Sequence, residues 1–355
     1  MKSLFGTLGR RMRGRAAVRL DPDCGDHRIS GLRSVAAARD WPALRDALLS
    51  ALDPDDPEDL GRLVSGLAGL KGLEEWLPAA AEKAEKEEAA AGDGQGEGRE
   101  GPEGGGGREG GDGEGAALPL LLSGARHVRW GWEARTSALA KDVSREQWDT
   151  FFDRLRIAEE QLFRAAELRP AWSAPWNSLL VIARGASLGP EISRVRFEAA
   201  VRRSPSDLTA HRDRLLGFCP RWSGSFEELH GFAREVSAAA PDGSPLHELV
   251  ARAHVEHWCE LDGGAEGAAY LRRPAVREEL VEAARRSVFH PDFPRRPGWQ
   301  LVHNVFAMAF SLARDDESAR RLFLELDGLV TEAPWQYFNS GPEAAFRLHR
   351  DRCLG

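Results

Sequence analysis

This 355-residue chain has few cysteines and tyrosines, little isoleucine and no sustained apolar run. Its four cysteines, Cys24, Cys219, Cys259 and Cys353, form no C-x-x-C pair. A chain of this length can bury a core without covalent staples. The cysteines therefore read as separate thiols in a reducing, cytoplasmic setting, with no disulfide framework and no zinc ribbon. The two tyrosines and scarce isoleucines contrast with abundant alanine, arginine, leucine and glutamate, a balance that favours helix over sheet. No apolar run approaches the roughly 20 residues of a membrane span. The net charge of −8 gives the whole chain no footprint for generic nucleic-acid binding. There is no G-x-S-x-G, no P-loop and no G-x-G-x-x-G opening a helix, so the common nucleophile-elbow and nucleotide-cradle chemistries have no signature here.

Against these absences stand strong local signals. Residues 1–28 are a basic tail. Leu4, Leu8 and Met12 fall at helical spacing among arginines, which fits either a short membrane- or anion-touching helix over residues 1–20 or a frayed tail. Residues 29–91 form a small helical block with Trp41, Leu44, Leu48 and Leu52 on one face, then Leu60, Leu63, Leu67 and Leu70 after the start signal Asp56-Pro57-Glu58-Asp59. Residues 92–117 include GDGQGEGREGPEGGGGREGGDGEG, about half glycine and otherwise mostly charged. Such a stretch buries too little apolar surface to offset its ordering entropy and reads as a disordered Gly/Glu linker, inserted at small cost. Residues 118–355 are helices almost without pause. Ser144-Arg145-Glu146-Gln147 and Ser225-Phe226-Glu227-Glu228 are capping boxes, and Gly189-Pro190 and Ser244-Pro245 set proline in a first turn. In CPRWSGS, Pro220 ends one helix, Gly224 lets the chain turn and Ser225 caps the next.

The prolines carry a period. Pro170, Pro205 and Pro241 are 35 and 36 residues apart. At fixed offsets before them stand Ala158, Leu162 and Ala165, then Ser193, Phe197 and Ala200, then Leu229, Ala233 and Val236. Small residues let paired helices approach, large ones fill the next groove, and proline ends the pair. This resembles the tetratricopeptide pattern of helical hairpins, with a further unit carrying Phe306, Ala307 and Phe310 before Ala319, Phe323 and Leu326. The pattern is degenerate, with Leu180 at the expected glycine and a long gap from Pro241 to Pro291. The expected fold is therefore all-α, an irregular solenoid of tetratricopeptide-like hairpins with a disordered internal loop.

A second resemblance covers roughly residues 30–260. Trp132-Glu133-Ala134-Arg135, Val143, Trp148, Ala183-Arg184-Gly185 and Pro220-Arg221-Trp222-Ser223-Gly224-Ser225 look like the elements of a family of bacterial helical-repeat domains of unknown function. That family usually has glycine where this chain has Ser223. The resemblance implies a tetratricopeptide-like fold with no assigned reaction, and a glycine-rich stretch that interrupts one solenoid.

Two functional readings follow. In tetratricopeptide pairs the concave groove is lined from helix A, and projecting the repeat puts Asn177, Arg184, Arg212, Glu248, Arg252 and Asn304 there. Arginine forks and asparagine amides can clamp a peptide and its carboxylates, although water-facing helices carry arginine anyway. Trp172, Trp222 and Trp335, beside prolines at hairpin ends, are either aromatic anchors or corner plugs. The leading expectation is a non-enzymatic scaffold for a protein or peptide partner, with no cofactor and no nucleic acid. The alternative is a metal-dependent enzyme built on His247, His254 and His257 in HELVARAHVEHW, a segment that is not H-E-x-x-H and whose histidines also fall at packing positions.

Overall fold

A computed structural model describes residues 16–93, 114–136 and 142–355. The chain is all-α: among the described residues there are seventeen α-helices and one two-stranded sheet of two-residue strands. No described helix is long and apolar enough to cross a membrane. The chain divides into two compact units, Asp26–Ala240 and Met1–Gly25 with Pro241–Gly355.

The first unit opens with α1 (His27–Ala36), α2 (Trp41–Ala51), α3 (Asp59–Ala68) and α4 (Leu77–Asp93). Asp26 and Asp40 cap α1 and α2, each accepting a backbone N–H of the first turn. The expected start at Asp56-Pro57 lies one turn early, because Asp56 accepts Glu58 N–H at 3.1 Å in a preceding turn and α3 begins at Asp59. Then come α5 (Glu114–Arg135), α6 (Arg145–Leu168), α7 (Ala174–Gly185), α8 (Pro190–Val201), α9 (Leu208–Gly217) and α10 (Phe226–Ala239). The Ser144–Gln147 capping box is complete. At α10 Ser225 accepts Glu228 N–H, while the Glu228 carboxylate takes the Ser225 hydroxyl rather than a backbone donor. Of the expected linker, residues 94–113 lie outside the described residues, as do residues 1–15 of the expected tail. Helix occupies both ends of that linker span, at 92–93 and 114–117.

Helix α5 is the axis of this unit. Residues 116–128 are buried on every face, because α3, α4, α6 and α7 all pack on it. At Gly124 a Cβ would stand 2.7 Å from Leu162 Cγ and 3.3 Å from the Ala158 carbonyl, so only glycine lets α5 and α6 approach this closely. From α5 onward each helix packs on the next, and α5 on α7 and α7 on α9 as well. The small and large residues of the proline-spaced pattern do the packing: Ala158, Leu162, Ala165, Ala200 and Leu229 are fully buried.

The second unit contains β1 (Arg19–Leu20), α11 (Glu248–Glu260), α12 (Ala265–Leu271), α13 (Pro274–Arg286), α14 (Trp299–Ala313), α15 (Asp316–Leu326), β2 (Leu329–Val330), α16 (Glu332–Trp335) and α17 (Pro342–Leu354). β1 pairs parallel to β2. Here α14 is the hub, touching α11, α12, α13, α15, α16 and α17. Its Phe306, Ala307 and Phe310 and the Ala319, Phe323 and Leu326 of α15 are buried, and the two helices turn at Arg314-Asp315.

Candidate functional site

The residues projected onto a groove divide between the units, and most are engaged inside them. Asn177 on α7 is 8% exposed and donates from Nδ2 to Asp207 Oδ2 at 2.8 Å. Arg184, also on α7, holds Asp213 at 3.0 Å and lies 5.9 Å from the Trp222 ring. Arg212 on α9 is half-buried. In the second unit Glu248 and Arg252, expected at a water-facing groove, are instead a buried ion pair at 2.8 Å, with the charge of Glu256 close by. Asn304 is likewise interior. Its Nδ2 donates to the Gln300 carbonyl at 2.9 Å, and its Oδ1 accepts Trp335 Nε1–H at 2.7 Å. Trp335, an expected anchor or plug, is fully buried and closes this corner of the core. The physical reason is the hub position of α14 and the packing around α11: a helix covered on all sides has no groove face, and its polar side chains must find partners within.

The histidines take different partners, although His254 and His257 share Tyr270. His247 precedes α11 and its Nε2 meets the Pro241 carbonyl at 3.0 Å. His254 bridges Tyr270 Oη at 2.6 Å and Glu279 Oε2 at 2.9 Å, a Glu–His–Tyr chain that no spacing in the sequence announces. His257 stacks on Tyr270 with ring centroids 3.9 Å apart. Burial, then the neighbouring His254 and Arg273, pushes His257 down to about 4, and burial lowers His247. Among the described residues no three histidine, cysteine or acidic side chains gather as a metal-holding group. None of the four cysteines is joined in a disulfide.

A different constellation does converge. Trp132 and Arg135 at the end of α5, Trp148, Phe151 and Phe152 at the start of α6, Arg184 at the end of α7 and the turn Pro220–Trp222 meet at one end of the α5–α6–α7 stack. Trp132 stands edge-on to Phe151 at 5.1 Å and to Trp222 at 5.9 Å, and Trp148 stacks on Phe152 at 5.5 Å. The Arg135 guanidinium lies 5.5 Å from Trp132 and 5.3 Å from Trp148. Phe152 is 45% exposed and Trp132, Trp148 and Trp222 are half-buried. The turn that delivers Trp222 has Ser223 in the left-handed region at φ 70°, and Gly224 where a Cβ would meet the Phe218 carbonyl oxygen at 2.3 Å. Trp172 lies apart from this cluster, half-buried beside Arg169. Such a surface presents aromatic edges with guanidinium charge held over them, suited to an apolar side chain next to a carboxylate.

Sequence reading missed a second anchor of this unit. Arg126, 1% exposed on α5, joins Glu74 at 2.7 Å and Glu133 at 2.9 Å and donates to the Ala68 carbonyl. Glu133 belongs to the W-E-A-R element, so that motif carried a signal for the anchor as well as for the aromatic cluster.

No protein-family model, no curated protein and no solved structure matches the chain.

Proposed function

We propose that the protein is a non-enzymatic scaffold whose unit Asp26–Ala240 is an irregular solenoid of tetratricopeptide-like hairpins, akin to the bacterial helical-repeat domains its motifs resemble, and that it binds a protein or peptide. The observation that supports this reading is the stepwise packing of α5 through α9, in which α5 also touches α7 and α7 also touches α9, as the inner row of a solenoid would. Since α5 is covered along residues 116–128, the face open to a partner would lie toward α9, which carries the half-buried Arg212 and the exposed Thr209. The aromatic cluster around Trp222 supplies an anchoring corner of the kind peptide-binding surfaces use. Cytoplasmic placement accords with four cysteines none of which is joined in a disulfide.

The test is a photo-crosslinking amino acid placed at Thr209, or on the outer row at the exposed Glu191 of α8. The scaffold reading expects one discrete protein adduct from position 209 in cells and none from 191. Equal labelling from both, or none from either, counts against it.

A further inference from the structure

Glu58 ends the turn before α3 and reaches the segment that opens α9. Its carboxylate accepts Ser206 Oγ–H at 3.1 Å and Leu208 N–H at 3.3 Å. Between those residues stands Asp207, 1% exposed, which accepts Ala210 N–H at 3.0 Å and the Asn177 amide at 2.8 Å. All four donors are neutral. The guanidinium of Arg62 is bound elsewhere, to Asp56 and Asp59 at 2.6 Å, and that of Arg28 to Asp26 and Asp59. Asn177, from α7, adds a further acceptor: its Oδ1 is buried without a donor. Nearby on α9, burial pushes His211 below its ordinary value, with the Asp207 carbonyl and charge opposing the shift. Two carboxylates and an orphaned amide oxygen therefore share one helix N-terminus. A helix end offers about half a positive charge, enough to favour one carboxylate but not two in a partly dry site.

We propose that closure of the junction between the turn before α3 and the start of α9 is proton-coupled: Glu58 binds a proton as the junction closes and releases it as the junction opens. Burial first, then the charge of Asp207, pushes Glu58 up to about 7, with Asp56 adding to the rise and the Leu208 and Ser206 bonds opposing it. A carboxyl whose closed-state value exceeds its open-state value favours closure fully below its ordinary range. That favour is lost as pH rises through about 7. Between roughly pH 4.5 and neutrality the closing equilibrium should change by up to about 10²-fold.

The full chain is examined by amide hydrogen exchange at Leu208 and Ala210, corrected for intrinsic rates, from pH 5.5 to 8, alongside Glu58→Gln. Expected is wild-type protection that falls with rising pH by tens of fold, and E58Q protection that is high and flat. The Glu58 carboxyl titration, read by ¹³C NMR in the unaltered chain, needs no variant and should have its midpoint near 7. A midpoint in the ordinary carboxylate range overturns the proposal, as does pH-independent wild-type protection or protection lost at every pH in E58Q. Calcium chloride restoring wild-type protection at pH 8 would also overturn it, by assigning the oxygens to a cation.

Discussion

Arg126 offers the sharpest energetic test of the first unit. It lies on α5, after the glycine-rich stretch, and binds Glu74 and the Ala68 carbonyl, which come before it. Removing one partner of a buried ion pair costs about 3–5 kcal/mol, because the remaining charge stays desolvated. Glu74 is 12% and Glu133 31% exposed, so both keep a path to water in Arg126→Met, and the lower figure of about 3 kcal/mol applies. For a unit of this size each kcal/mol moves the melting temperature by about 2–4 °C, giving a fall of roughly 6–12 °C. The pH dependence provides a cross-check. Burial alone would raise Glu74, but the hydrogen bond and charge of Arg126 outweigh it and hold Glu74 below its usual value. A depressed carboxyl stabilises the fold above its unfolded value and loses that contribution as pH falls through its folded value. The gap between wild type and R126M should therefore narrow below about pH 4.5. Urea denaturation followed by tryptophan fluorescence and circular dichroism measures both. A change under about 0.5 kcal/mol, or separate transitions for the helices on the two sides of the glycine-rich stretch, would refute the reasoning.

Four further substitutions have expected outcomes. Trp335→Phe deletes the donor to Asn304 and leaves a buried amide oxygen unpaired; chemical denaturation should show a loss of about 1–3 kcal/mol, and no loss would mean Asn304 finds another donor. Ser223→Gly relieves a left-handed residue and should stabilise by roughly 0.5–1 kcal/mol in a thermal melt, whereas Gly224→Ala forces a Cβ into the Phe218 carbonyl and should cost at least about 2 kcal/mol. Trp222→Ala should remove aromatic packing against Trp132 at a cost of about 3 kcal/mol if it is chiefly a plug, and far less, with loss of partner capture, if it is chiefly an anchor; the melt and the crosslinking yield separate the two.

What was legible in the sequence was local or periodic. The capping boxes at Ser144 and Ser225 name helix starts because their chemistry closes within three residues. The proline period found the packing residues Ala158, Leu162 and Ala165 because close helix contact demands small and large side chains at fixed spacing. The turn at Ser223-Gly224 was legible from its own residues: Pro220 ends one helix, Gly224 lets the chain turn and Ser225 caps the next. What needed the third dimension was coverage. Glu114-Gly115-Ala116-Ala117 reads as the end of a linker, yet Ala116 and Ala117 are fully buried, because neighbouring helices extend α5 into the polar stretch. Glu248, Arg252 and Asn304 sit at spacings that fit a groove, but spacing gives a helix face and not its neighbour, and in each case the neighbour is another helix. The meeting of Trp132 with Phe151 and Trp222 needed the structure, since the residues lie on separate helices and a turn. The pairing of Glu58 with Asp207 left no trace, because two acids 149 residues apart have no shared pattern.

The central claim is that the inner row of α5, α7 and α9 binds a partner. It is tested most directly by titration calorimetry of the crosslinked protein, once purified, against wild type, Arg212→Glu on the inner row and Arg194→Glu on the outer helix α8. The account predicts at least about tenfold weaker binding for R212E, some 1.4 kcal/mol, with R194E like wild type. Equal affinity for all three chains, or equal weakening by both variants, would contradict it.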